Sequence, residues 1–369
     1  MIYYLIFILL VSFSIMEIIT KRTSKWLVQY QIFCLLIILF VGLRYDVGFD
    51  FNSYRLIFEN IDFSYFDKLI VYISYNQFSV VEIGYGLLNL LIKTLKLPYC
   101  VLIFLISIIT LFPKFKLIKY YSPYYFLSLV VLVPTLVSSD MGQIRQGIAL
   151  SIVISSFFQI VKRRKSRYII LILLASSFHV SSLLFLPIYW IVRCNINRIF
   201  LIIFICIAGI INYSGIMRYA IEQLAVMLPS FISFKLIAYL EMETYYLGFT
   251  ITLIYRLFIL YCFYYFYKND FNDKKQSFIK YLFIIYYTGI ILFLFLGALP
   301  QLGGRGSLYF KIFDVVIIPL IIVRIKTFFL KTILIMFFVL YSLHGVISIL
   351  SQYHDVYLPY NAYGMNLYK

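Results

Sequence analysis

Long apolar runs, each close to the length that crosses a bilayer, follow one another through most of this chain. A spanning helix needs about 20 mostly apolar residues, and in hydrocarbon a helix pairs its own backbone polar groups. Ten stretches meet that requirement: 2–20, 27–43, 97–113, 123–138, 143–161, 198–213, 246–267, 277–297, 307–323 and 331–350. The residues are 63% hydrophobic and 13% charged, which excludes a water-soluble enzyme as well as a disordered or fibrous chain. The expected fold class is all-α: a polytopic membrane protein forming one integral membrane domain over 1–369.

Charge orients the spans. Lys and Arg number 32 against 15 Asp and Glu, a net +17. On a soluble chain such an excess would suggest nucleic acid. Here the basic residues cluster between apolar runs, at Lys21, Arg22 and Lys25, at Lys114, Lys116 and Lys119, and from Lys162 to Arg167. That is the positive-inside pattern of a multispanning protein, with anionic lipid as a further contact and no nucleic acid as partner. Cys34, Cys100, Cys194, Cys206 and Cys262 lie singly, without disulfide or zinc spacing. The run from Ile2 lacks a basic n-region and a small-residue cleavage site, so it reads as a retained first span.

Two stretches are settled by where the basic clusters must lie. Were 80–96 a full crossing, the next two clusters would face outward, so it reads as an amphipathic or re-entrant helix on the outer side. The run 168–192 reads as a helical hairpin turning near Phe178-His179-Val180-Ser181, which keeps Arg193 and Arg198 inside. About 10–12 transmembrane helices result, with re-entrant or interfacial helices besides. Two long external segments follow. Segment 44–82 holds six of the fifteen acids, and 214–245 looks like an interfacial amphipathic segment. No internal repeat or inverted half-to-half symmetry is visible, unlike many secondary transporters.

Charges at membrane depth usually serve a partner or a pathway, and in this topology the unexpected ones converge on the outer side. Arg44, Asp46 and Asp50 follow the second span; Arg145 and Gln146 open the span 143–161; His179 marks the hairpin turn; Arg305 lies in Gly303-Gly304-Arg305-Gly306. Arginine forks match phosphate and keep their charge when partly buried. Asp46, Asp50 and His179 can take a proton from a hydroxyl. Together they suggest glycosyl transfer from an anionic, phosphate-bearing lipid, with cations on a diphosphate leaving group and a base on the acceptor hydroxyl. Structural alternatives stand beside each residue. An Arg at a helix end snorkels, Asp46 and Asp50 could salt-bridge Arg44 and Arg55 or cap the next helix, and a lone His can be a satisfied structural residue. Asp314, one turn from Lys311, is expected to pair with it structurally.

At these residues the chain resembles the EpsG-like branch of the Wzy polymerases of O-antigen, capsule and exopolysaccharide assembly. The resemblance rests on Arg44-Tyr45-x-x-Gly48-x-Asp50-Phe51-x-x-Tyr54, Glu82-x-Gly84-Tyr85-x-x-Leu88-Asn89, Ile144-Arg145-Gln146-x-Ile148-Ala149, Ala175-x-x-Phe178-His179-x-Ser181-x-Leu183 and Arg305-x-x-x-Tyr309-Phe310. Position 51 carries Phe where the pattern has Tyr. The resemblance implies an all-helical glycosyltransferase, GT-C-like in using a lipid-linked donor. It would sit in the bacterial cytoplasmic membrane with its active site facing the periplasm or exterior, and move a growing glycan from undecaprenyl diphosphate to a lipid-linked repeat unit. A separate chain-length regulator is a candidate partner. By chemistry, Arg44, Arg145 and Arg305 are assigned to the diphosphates, and Asp50 or His179 to the general base, with Asp46 a further candidate. Tyr45, Gly48, Tyr54, Gln146 and Tyr309 support them. With no DxD motif, neither metal nor cofactor is expected. The rival readings are a lipid-linked oligosaccharide flippase or exporter, an O-antigen ligase and a membrane acyltransferase.

Overall fold

A computed structural model describes residues 2–20, 23–65, 82–194, 198–227, 250–273, 277–298 and 300–364, with the single positions 233, 237 and 240. Part of the external segment 44–82, from 66 to 81, and most of 228–249 lie outside the described residues. The chain is a helical membrane protein, and among the described residues the only β pairing is an isolated bridge between Arg44 and Ala362. Six helices are long and apolar enough to cross a membrane, or eight if two bent pairs each count as one span.

Helix α1 (Ile2–Thr20) and α2 (Leu27–Gly42) lead to the short α3 (Phe51–Asn60) and α4 (Ile83–Thr94). The long α5 (Tyr99–Tyr121) follows, then α6 (Tyr125–Thr135), which widens into a π-helical turn over Leu136–Gly142 before α7 (Ile144–Val161). The hairpin comprises α8 (Lys165–Ser176), a 3-10 turn over Val180–Phe185, and α9 (Ile188–Ile191). Tyr168 donates to the Phe185 carbonyl, Tyr189 donates to the Arg163 carbonyl at 3.0 Å, and Arg193 reaches the Ile160 carbonyl at 3.3 Å. The chain therefore folds back on itself at 177–179 and returns Arg193 to the basic end of α7.

The second half continues with α10 (Arg198–Tyr213) and α11 (Ile216–Met227), α12 (Ile251–Tyr267) and α13 (Ser277–Phe295). It ends with α14 (Pro300–Lys311), α15 (Asp314–Arg324), α16 (Phe328–Gln352) and the short α17 (His354–Tyr357). Helices α10 and α11 meet at 70°. The expected straight span 307–323 is instead a bent pair, broken by 48° between α14 and α15.

Buried charge ties the bundle together. The Glu17 carboxylate, near the basic end of α1, accepts from the Tyr125 and Phe126 amides at 2.8 and 2.9 Å. It answers donors that the first turn of α6 cannot pair within itself. The expectation that Lys114 belongs to an intracellular basic cluster is overturned. Helix α5 runs seamlessly through Pro113 to Tyr121, and the fully buried Lys114 ion-pairs with the fully buried Asp140 of the π turn. Removing one partner of such a pair strands a charge in low dielectric, at a cost of about 3–5 kcal/mol. Lys114→Met or Asp140→Leu alone should therefore sharply reduce the recovery of monodisperse protein and lower its Tm in detergent. The double variant should recover most of both, which size-exclusion and thermal-melting measurements would check.

Candidate functional site

The site forms where the turns before α3 and α4, the first turn of α7, the middle of α14 and the tip of the hairpin meet, at the end of the bundle opposite the basic turn 162–165. Its scaffold is the loop after α2. Gly48 has φ +121°, and a Cβ there would lie 2.1 Å from the Met141 carbonyl oxygen. Only glycine allows this loop to pass so close to the π turn. The C-terminal strap holds the loop from its other side: Tyr45 N–H donates to the Asn361 carbonyl at 2.9 Å, and Gly48 N–H to that of Val356 at 3.1 Å.

A second close approach delivers the acid. Gly84 N–H donates to the Ser177 carbonyl at 2.8 Å, and a Cβ at Gly84 would fall 2.5 Å from the Ser177 hydroxyl. The start of α4 is thereby pressed against the hairpin tip, so that Glu82 faces His179. One Glu82 oxygen lies 3.6 Å from His179 Nδ1, and the other accepts from Arg145. Arg145 Nε also reaches the Tyr54 hydroxyl at 3.4 Å, and that hydroxyl donates to Asp50 Oδ2 at 3.3 Å. A continuous polar chain therefore runs Asp50, Tyr54, Arg145, Glu82, His179. Ser181 donates to the buried Tyr309 hydroxyl at 3.3 Å, and Gln146 Nε2 donates to the Arg305 carbonyl at 2.9 Å.

The cluster's electrostatics differ from residue to residue. Burial pushes the Glu82 carboxyl up, but His179 and Arg145 outweigh it and hold the pKa at about 2. Burial lifts Asp50 above its ordinary value, against the Tyr54 hydrogen bond and the nearby Arg145 and Arg305 guanidinia. Asp50 precedes α3 without capping it, and Arg55 pairs with Glu59 at 2.8 Å. Neither structural alternative for Asp50 is therefore realised. The half-buried Arg305 guanidinium forms no hydrogen bond or ion pair among the described residues.

Three of the sequence-assigned residues lie elsewhere. Arg44 is 1% exposed, and its fork is used on the Val41 and Val47 carbonyls, the latter at 3.1 Å. In this conformation it pins the loop from beneath, with its Nη2 buried and without a hydrogen-bond partner among the described residues. Asp46 is exposed, at φ +53°, with no hydrogen bond or ion pair to the cluster. Tyr45 packs edge-on against Tyr363, ring centroids 4.9 Å apart. Sequence reasoning gives Glu82 no role in the site, although it stands in the Glu82-x-Gly84-Tyr85 motif; its partners Arg145 and His179 come from distant segments. No three His, Cys, Asp or Glu side chains among the described residues are placed to hold a metal ion.

A family model, that of the EpsG family, matches residues 27–362. The chain belongs to the EpsG family. The matched segment contains every member of the cluster, from Asp50 to Tyr309. EpsG membership points to a polymerase-type function in exopolysaccharide assembly, of glycosyltransferase kind. No curated protein and no solved structure matches the chain.

Glu82 gives the cluster a definite pH signature. Its folded pKa of about 2 lies below its ordinary value of 4.5. A depressed acid stabilises the folded state above the unfolded pKa and loses that contribution as pH falls toward the folded one. Glu82→Gln should lower stability by about 1–3 kcal/mol near neutral pH. Wild type and variant should then converge between pH 4.5 and about 2. Thermal melts across that range check it, and a pH-independent gap would remove Glu82 from the ion-paired role.

Proposed function

We propose that this EpsG-family chain is a polysaccharide polymerase working on the outer face of the cytoplasmic membrane. It transfers a growing glycan from undecaprenyl diphosphate to a hydroxyl of a lipid-linked repeat unit, and the cluster is its active site. The observation that carries this reading is the pairing of an uncommitted guanidinium, Arg305, with a nearby carboxylate, Asp50, whose proton affinity burial has raised. A diphosphate leaving group needs the first and an acceptor hydroxyl the second.

In this reading Arg305 binds the donor diphosphate. Arg145, part exposed beside Glu82, contributes a second positive charge. The acceptor hydroxyl oxygen attacks the anomeric carbon of the donor's proximal sugar, and its proton passes to Asp50 as the new glycosidic bond forms. The bond from that carbon to the diphosphate oxygen breaks, and undecaprenyl diphosphate departs with the electron pair. Stabilising the developing charge on the leaving oxygen is the larger task, as electrostatic preorganisation usually is. Tyr54 orients the Asp50 carboxylate and Glu82 holds Arg145 and His179 in register. Arg44 acts from beneath as a positioning residue for the loop that carries Asp50.

The test is polymerisation of purified lipid-diphosphate repeat unit by protein in liposomes, with and without EDTA. Wild type should produce a ladder of longer lipid-linked glycans that EDTA leaves intact. Asp50→Asn should reduce turnover by about 10²–10⁴-fold, the usual worth of a general base. Arg305→Gln should reduce it by about 10²-fold or more. His179→Ala should fall well short of Asp50→Asn. Loss of activity in His179→Ala with retention in Asp50→Asn would transfer the base to His179. Movement of the repeat unit across the bilayer without a ladder would replace polymerisation with lipid flipping.

A further inference from the structure

A second group of ionisable residues lies away from this cluster, around the break between α14 and α15. A cavity of about 290 Å³ opens there between α6, α12, the break and α16, lined by Ser138, Lys311, Asp314, Tyr341, His344 and Ser348 among others. The expected structural pair between Lys311 and Asp314 is not made: no ion pair joins them, and Lys311 forms no hydrogen bond among the described residues. One Asp314 oxygen, Oδ1, is likewise buried without a hydrogen-bond partner. Arg256 is a further charged neighbour of Lys311, committed to the Ser307 hydroxyl at 2.9 Å and to the face of Phe293 at 4.2 Å.

The charges do not cancel. Arg256 and Lys311 are cations and Asp314 is the one acid beside them among the described residues, which leaves one positive charge in excess. An uncompensated charge at membrane depth costs several kcal/mol. Such a site needs an anion, and the space beside Lys311 is large enough for one. Access comes from the flank of α16, where His344 and Ser348 are exposed although they line the cavity. His344 lies eight residues before Gln352, the end of α16, about 12 Å along the helix at about 1.5 Å per residue. The mouth therefore opens within the depth of the bilayer and not into free solvent. At its base Gly345 abuts Pro134, to which a Cβ there would come within 3.2 Å, bringing α16 close against α6.

We propose that this cavity is a phosphate-binding site, filled from the bilayer by the phosphate headgroup of an anionic lipid held on Lys311, with His344 and Ser348 at the mouth. The chemistry is shared by a phosphate monoester lipid and by free phosphate, and the flank opening favours the lipid. The site is separate from the Arg305 cluster and does not depend on the polymerase reading.

Native mass spectrometry of the detergent-purified full chain tests it, with dioleoyl phosphatidic acid, dioleoyl phosphatidylcholine and inorganic phosphate as probes. Wild type should retain one phosphatidic acid tightly, should not retain phosphatidylcholine, and should lose the lipid only to a large excess of inorganic phosphate. Lys311→Gln should weaken retention by about tenfold or more, as removal of a buried charge partner does, while Lys311→Arg preserves it. Ser348→Trp, on the exposed mouth, should block the lipid while leaving the fold intact, so the test stands even if Lys311→Gln fails to fold. Arg305→Gln should leave retention unchanged. Equal retention of phosphatidylcholine, or unaltered retention in Ser348→Trp and Lys311→Gln, would overturn the proposal. Displacement at low inorganic phosphate would overturn the lipid as the source.

Discussion

The fold depends on one constraint: a charge placed in hydrocarbon must be answered by an opposite charge, by oriented backbone groups or by a ligand. Three buried charges find partners within the chain, and two of them tie together elements distant in sequence. Glu17 of α1 takes the first amides of α6. Lys114 of α5 takes Asp140 of the π turn. Arg44 takes the carbonyls at the end of α2 and within the loop that follows. The first two contacts hold α1 and α5 against α6 and its π turn, and the third shapes the loop bearing Asp50. Arg305 and Lys311 differ in that their charged heads make neither a hydrogen bond nor an ion pair among the described residues, and both stand where a ligand can reach them. The same constraint thus separates the charges that build the bundle from those that serve it.

Close backbone approach is the second requirement, because a site drawn from five segments must be compact. The π turn supplies part of it. Gln143 N–H bonds to the Ser138 carbonyl five residues back, which marks the wider turn. The wider turn brings Asp140 under Lys114 and presents the Met141 carbonyl to Gly48. Gly84 does the corresponding work at the hairpin tip, where a side chain of any size would separate Glu82 from His179. The strap from the C-terminal segment then closes the loop from above. The polar chain from Asp50 to His179 is therefore assembled by backbone shape as much as by attraction between its side chains.

Much of this was legible in the sequence because hydrocarbon leaves few options. The helical membrane fold follows from apolar length, although six to eight described helices are long and apolar enough to cross a membrane where ten to twelve were expected. What escaped has a common cause, which is that pairing hides charge. Lys114 looked like the start of a cytoplasmic cluster because hydropathy falls at Pro113, yet its partner Asp140 allows it to remain inside. Glu82 carried no local sign of its role, since Arg145 and His179 reach it only through the packing of α4 against the hairpin. Arg44 resembled a ligand for phosphate because an arginine after a span followed by two acids has that look. Its enclosure by Tyr3, Tyr99, Tyr357 and Tyr360 becomes visible only once the strap is in place. Lys311 and Asp314 erred the other way: helical spacing suggested a pair, and the break between α14 and α15 removes the spacing.

The arrangement also gives a physical reason why Asp50 and Arg305 should act together in the proposed transfer. Arg305 and Arg145 oppose the effect of burial on Asp50, keeping its proton affinity lower than burial alone would set it. A diphosphate arriving at Arg305 brings negative charge toward the same carboxylate and neutralises one of the cations that restrain it. Both effects raise the affinity of Asp50 for a proton, since nearby negative charge disfavours its ionised form. The base therefore strengthens when donor is bound and stays weaker when the site is empty. Glu82 does not share in this change, because His179 and Arg145 keep it ionised on the far side of Tyr54. One acid in the polar chain is thus held by direct contacts to Arg145 and His179, and in the proposed transfer the other responds to the substrate.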